Sequence, residues 1–63
     1  MIYALKNIAQ HADGRGAVRF TKVYAVDEEM ARAVSRAMCS ADGLRVLEQL
    51  VVSVRSSILD RPH

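Results

Sequence analysis

"LRVLEQLVVSVRSSIL", the stretch from Leu44 to Leu59, decides the fold of this chain because it fits two templates at once. Read as a helix, it gathers Leu44, Val46, Leu47, Leu50, Val51, Val54 and Ile58 on one side and leaves Val52, Ser57 and Leu59 misplaced. Read as a strand, it places Leu44, Val46, Leu50, Val52, Val54 and Ile58 on one face, with Leu47, Glu48, Val51, Ser56 and Leu59 out of phase. Periodicity leans to helix, but composition outweighs it. Four valines, one isoleucine and three serines are poor helix formers in so short a window, and β-branched side chains pack well on a pleated surface. The segment is expected to be a strand.

Upstream of it the helical period is clear. Met30, Val34, Ala37 and Met38 recur at helical spacing, with Glu28, Arg32, Ser35 and Arg36 on the other side. Asp27 is a good N-cap, Glu28 and Glu29 sit where the helix dipole favours negative charge, and Glu28 with Arg32 forms an i,i+4 pair. Gly43 supplies a left-handed residue to end the helix, expected over roughly Glu28 to Cys39. Met30 and Met38 read as core.

Further upstream, Met1 to Gln10 and Ala17 to Val26 alternate around Asp13-Gly14, the pair favoured in a two-residue type I′ turn. That closure places Tyr3, Leu5, Ala9, Val18, Phe20, Tyr24 and Val26 on a core face interrupted by Asn7 and Lys22. A three-residue loop with Gly14 left-handed shifts the register and matches Ile2, Ala4 and Ile8 with the same second-strand residues. The first closure is the expected one. A hairpin alone is marginal in water, and a third strand makes a sheet on which a helix packs. The expected fold is α+β, β-β-α-β, an antiparallel sheet on one amphipathic helix, in a single domain over residues 1–63.

A chain of 63 residues buries only about 60% of its unfolded surface, so tight packing, self-association or a partner must add stability. Cys39, the one cysteine, cannot form an internal disulfide, and no Cys and His set at ligand spacing suggests a metal or other cofactor. No apolar run spans a bilayer and no signal peptide is visible, so the cytosol is the expected compartment. A net charge of +2 is too small for a dedicated nucleic-acid arm and of the wrong sign for an acidic mimic of DNA.

A hydrolytic triad needs a nucleophile, a base and an orienting group. His11 lies at the hairpin end and His63 at the chain terminus, neither placed to be held beside Cys39. No enzyme is expected. Cys39 reads as a small buried or half-buried hydrophobe and His11 as a solvated turn residue. The candidate partner-binding residues are Lys6, Arg15, Arg19, Arg32 and Arg36. Lys6, Arg19 and Thr21 share the face opposite the expected core together with Ile2, Ala4, Ile8 and Val23, an apolar setting better suited to a protein interface than to a phosphate groove. Arg15, held between Gly14 and Gly16, stands at the hairpin tip, and either a bulge that twists the hairpin end or the close approach of a partner's backbone accounts for the second glycine.

The basic hairpin, the helix capped at Asp27, Cys39 at its end, the Gly43 turn and the apolar strand "LRVLEQLVVSV" resemble, in order and size, small phage-encoded anti-CRISPR proteins that inhibit type I surveillance complexes. The resemblance implies a non-enzymatic inhibitor that binds Cas subunits in the bacterial cell and blocks DNA recognition or nuclease recruitment. A homodimer is a further expectation, from the half-apolar second face of the sheet. The helical reading of Leu44–Leu59 gives instead β-β-α-α, which looks like a dimeric ribbon-helix-helix transcription regulator reading DNA with Arg19, Thr21 and Val23. Against it, Lys22 occupies an inward position of that fold, and sixteen residues precede the strand where few are needed.

Overall fold

A computed structural model describes residues 1–56. The order is β1 (Ile2–Gln10), β2 (Gly16–Tyr24), α1 (Glu28–Ala41) and β3 (Arg45–Arg55), so the deciding segment is a strand up to Arg55. Ser57, Ile58, Leu59, Pro62 and His63 lie outside the described residues. The antiparallel sheet runs β2-β1-β3 with β1 in the centre, and α1 covers one face.

The hairpin closes with the odd loop rather than the two-residue turn. Gly14 N–H donates to the His11 carbonyl at 2.9 Å and His11 N–H to the Arg15 carbonyl at 2.8 Å, leaving Ala12, Asp13 and Gly14 as the loop. Gly14 has φ +93°, and no described non-glycine residue has positive φ. The type I′ turn would have forced Asp13 into the left-handed region, whereas the longer loop asks this only of glycine. The resulting register pairs Ile2 with Tyr24, Lys6 with Phe20 and Ile8 with Val18. One residue of shift turns every side chain of β2 over. Thr21 and Val23 are therefore buried against the helix, and Val18, Phe20 and Tyr24, expected in the core, are exposed, as is Val26 beyond the strand.

The helix ends follow the sequence. Asp27 caps it by accepting from Met30 N–H at 2.8 Å, worth about 1 kcal/mol. Gly43, at φ +79°, donates to the Ser40 carbonyl while Leu44 donates to that of Cys39, the bond pattern of a Schellman motif. The buried face is not the one the apolar spacing indicates. Ala31, Ser35 and Cys39 face the sheet, and Met30, Val34, Ala37 and Met38 are exposed. A stripe of small residues lets the helix sit close enough for Ser35 to reach the sheet.

β3 carries two bulges. Its register against β1 shifts between Ile8 and Ala9 and again between Ala4 and Leu5, leaving Leu47 and Val52 without a partner position. Val46, Gln49, Val51 and Val54 pair with the helix-side residues Ala9, Asn7, Leu5 and Tyr3. Leu50 and Val52, expected to share a core face with Val46, are exposed; Val54 is also exposed despite its helix-side position.

Two apolar clusters form the core. Tyr3, Leu5, Val23, Ala25 and Ala31, with Val51, lie toward the helix start; Ala9, Cys39, Leu44 and Val46, with Ala17, lie toward its end. A polar layer joins them. Asn7, fully buried at mid-strand, donates to the Arg19 carbonyl at 2.9 Å and to Thr21 Oγ1 at 3.3 Å, and its Oδ1 accepts from Ser35 Oγ at 2.9 Å and Gln49 Nε2 at 3.0 Å. Ser35 has spent its one proton on Asn7, so Thr21 donates across the 2.6 Å contact between their hydroxyls. All the hydrogen-bonding capacity of the Asn7 amide is used, and no buried side-chain polar atom among the described residues lacks a partner.

Candidate protein-binding interface

Alternation along β1 sends its odd residues to the helix and its even residues to the opposite, open face of the sheet. Across that face the ladder places Val18, Ile8 and Glu48 in one row, then Phe20, Lys6 and Leu50, then Lys22, Ala4 and Ser53, then Tyr24, Ile2 and Arg55. Phe20 is 66% exposed and Tyr24 74%, and Val18, Leu50 and the bulge residues Leu47 and Val52 are exposed as well. No described element covers these side chains. Where β2, β1 and β3 end together, small Ala4 and Ser53 leave a hollow of about 310 Å³ walled by Ile2, Lys22, Tyr24 and Arg55.

Among the described residues, charge on this face is mostly positive: Lys6, Lys22, Arg45 and Arg55 stand with Glu48 alone, and Lys6, Lys22 and Glu48 take part in no described ion pair. Side chains able to reach a partner's carboxylate are thus set among uncovered apolar ones.

The five candidate cations are not brought together. Lys6 is at the centre of the open face. Arg19 and Thr21, expected beside it, lie on the helix side because of the register shift; Arg19 pairs with Asp42, and Thr21 is in the polar layer. Val23, expected with them, is in the core. Arg32 bonds Glu28 at 2.9 Å and donates to the Gln49 carbonyl at 3.0 Å; Arg36 donates to the Val46 carbonyl at 3.3 Å. Both arginines hold the helix to β3. Arg15 folds onto Asp13, Nε to Oδ2 at 2.7 Å, while its backbone N–H donates to Asp13 Oδ1 at 3.1 Å. That backbone hydrogen bond is the main influence lowering the Asp13 pKa. Gly16 has open space where a Cβ would stand.

Other chemistry-bearing groups lie elsewhere. Cys39 is fully buried among Ala9, Leu44 and Val46. His11 is half-buried and lines, with Gln10, Ser40 and Arg45, an open cleft of about 510 Å³ at the hairpin end. Arg45 there donates to Gln10 Oε1 at 3.0 Å. Among the described residues no cluster of His, Cys, Asp or Glu has the makings of a metal site, and no helix is long and apolar enough to cross a membrane.

Sequence reasoning missed Phe20, Lys22, Tyr24, Leu50 and Val52 as open-face residues. The signal was in the odd-loop register, which puts Val18, Phe20 and Tyr24 beside Ile2, Ala4 and Ile8. Compared with known proteins, the chain matches no family model, and no curated protein or solved structure is significantly similar to it.

Proposed function

We propose that this chain is a non-enzymatic binding protein that docks the open face of its sheet on another protein, one offering an apolar surface edged with carboxylates. The observation that carries this reading is the run of uncovered large side chains, Val18, Phe20, Tyr24, Leu47, Leu50 and Val52, on a domain too small to leave such area to water without consequence. The lysines and arginines around them fit acidic groups at the rim of a partner's surface.

Its narrower form is an inhibitor acting in the cytosol of a bacterial host on Cas subunits of a type I surveillance complex. The support is the likeness of layout to anti-CRISPR proteins together with a sheet face suited to stoichiometric binding. A ribbon-helix-helix arrangement needs a helix where β3 runs, so that route to DNA reading has no structural basis here.

Leu50→Glu tests the reading. Leu50 is exposed and paired to Lys6 across the ladder, so the variant is expected to fold while weakening partner binding at least ~tenfold. In a type I CRISPR host, the wild-type chain should restore plating of a targeted phage and co-purify with the surveillance complex, and Leu50→Glu should do neither. Phage restriction unaffected by the wild-type chain would overturn the narrower form. Lysate proteins captured equally by wild type and Leu50→Glu would overturn docking through this face.

A further inference from the structure

The two edges of the sheet are treated differently. In an antiparallel ladder, residues bonded to the neighbouring strand alternate with residues whose N–H and C=O point away. The bonds between His11 and Arg15 and between Met1 and Ala25 fix the phase of the hairpin. Ala17, Arg19, Thr21 and Val23 point their backbone groups at β1, and Gly16, Val18, Phe20, Lys22 and Tyr24 point theirs outward. The even residues of β1 then serve β3, so Val46 and Gln49 face the outer edge of β3. Their carbonyls are the two taken by Arg36 and Arg32. With two bulges and two guanidinium groups, that edge is closed to pairing. β2 has no bulge and no proline, and no described residue covers it, so among the described residues its edge is a regular template nine residues long.

The flanks of this edge are apolar on both sides. On the open face stand Val18, Phe20 and Tyr24. On the helix side, Ala31, Ser35 and Cys39 face the sheet and Arg32 and Arg36, one position later, reach β3. Met30, Val34 and Met38, one position earlier, therefore flank β2, and they are 40–46% exposed.

We propose that a second copy of this chain pairs antiparallel with the free edge of β2 about a two-fold axis at Phe20, giving a continuous six-stranded sheet. The strand is self-complementary in that register. Phe20 is the middle residue of Gly16–Tyr24 and is outward-facing, so Gly16, Val18, Phe20, Lys22 and Tyr24 meet Tyr24, Lys22, Phe20, Val18 and Gly16 of the partner subunit, every one with a backbone donor and acceptor that no described residue engages. Like charges are not opposed: Lys22 meets the partner's Val18, and Arg19 the partner's Thr21. The empty space beside Gly16 receives the partner's Tyr24, an aromatic ring over an edge glycine. Ser35, bonded to Thr21, fixes the helix centre at the strand centre, so the ridge Met30, Val34, Met38 is likewise symmetric about the axis. The dimer leaves the open face uncovered and does not rest on the docking role given to it.

Sedimentation of the full chain over a wide concentration range should show a reversible dimer. Phe20→Lys and Phe20→Glu should each raise its dissociation constant at least ~100-fold, and mixing the two should restore a heterodimer, because position 20 opposes itself. Phe20→Cys should form a symmetric disulfide in air, the Cα separation of a bonded antiparallel pair, about 5.5 Å, being within disulfide range. Amide exchange at Val18, Phe20 and Lys22 should slow by more than exchange at Thr21 as concentration rises, because Thr21 is already bonded to β1 in the monomer and gains only the overall stabilisation of the dimer. Leu50→Glu, away from the edge, should dimerise like wild type, which separates this test from that of the docking face. A wild type that stays monomeric at millimolar concentration, or a dimer insensitive to Phe20→Lys, would overturn edge pairing. So would a dimer broken by Leu50→Glu, since the face rather than the edge would then be the contact.

Discussion

The two faces of the sheet are inverted relative to the usual soluble domain. The face under the helix is polar at its centre, where Asn7, Thr21, Ser35 and Gln49 bond one another out of water. The face that no described element covers carries Phe20, Tyr24, Leu50 and Val52. Apolar area alone would favour turning β2 over. What holds it is the loop, which keeps Asp13 out of the left-handed region, together with hydrogen bonds available in only one register. A buried polar layer of this kind adds little net stability but makes the alternatives costly, since each leaves a donor or acceptor unpaired in the core.

Substitutions on the two faces should therefore behave in opposite ways. Leu5, wholly buried on the helix side, has the largest expected effect: Leu5→Ala should cost about 2–5 kcal/mol, enough to unfold most of a domain this small, as read by urea titration. Asn7→Leu comes next. It keeps the branched shape and heavy-atom count of the side chain but strands Thr21, Ser35 and Gln49, at about 1–3 kcal/mol, and adding Ser35→Ala should cost less than the sum of the two single changes. Strict additivity would show that the layer does not act as a unit. On the open face, Phe20→Ala should shift folding stability by no more than about 0.5 kcal/mol in solution dilute enough to keep the chain monomeric; a core loss of about 3–5 kcal/mol would instead mean that the two-residue turn and its register are correct.

The smallest effect concerns the hairpin tip. The Asp13 carboxyl titrates below its ordinary value because the Arg15 N–H donates to it. Its contribution is complete above the ordinary aspartate pKa and is lost as the pH falls through the lowered one. The Arg15 amide resonance should follow that acid titration while the sheet amides stay unchanged.

Element order was legible because its signals are local. Asp27, the Glu28–Arg32 pair and Gly43 act within a few residues of themselves, and each does in the fold what its chemistry indicates. Register was not, since the two- and three-residue loops differ in whether Asp13 joins Gly14 at positive φ or Gly14 bears it alone, while both keep the alternation of the strands. β3 was hard to read for a related reason. Its bulges place helix-side residues at Val46, Gln49, Val51 and Val54, a spacing of three, two and three that imitates a helical period within a strand. On α1 the apolar spacing pointed away from the sheet because Ala31, Ser35 and Cys39 are too small and mixed to stand out, and Asn7 read as an interruption rather than the centre of the core.

Cys39 gives the packing of the helix an intrinsic clock. Its thiol has no exposed surface and sits where the last turn of α1, the Leu44 cap contact and Val46 of β3 converge, so a thiol reagent reaches it only when that junction parts. With a fast enough reagent, the modification rate becomes the rate at which the end of the helix lifts from the sheet; with a slow one, it reports how often the helix is already lifted. Set against the rate of global unfolding, that modification rate lets one native sulfur separate local breathing from global unfolding without a label being introduced.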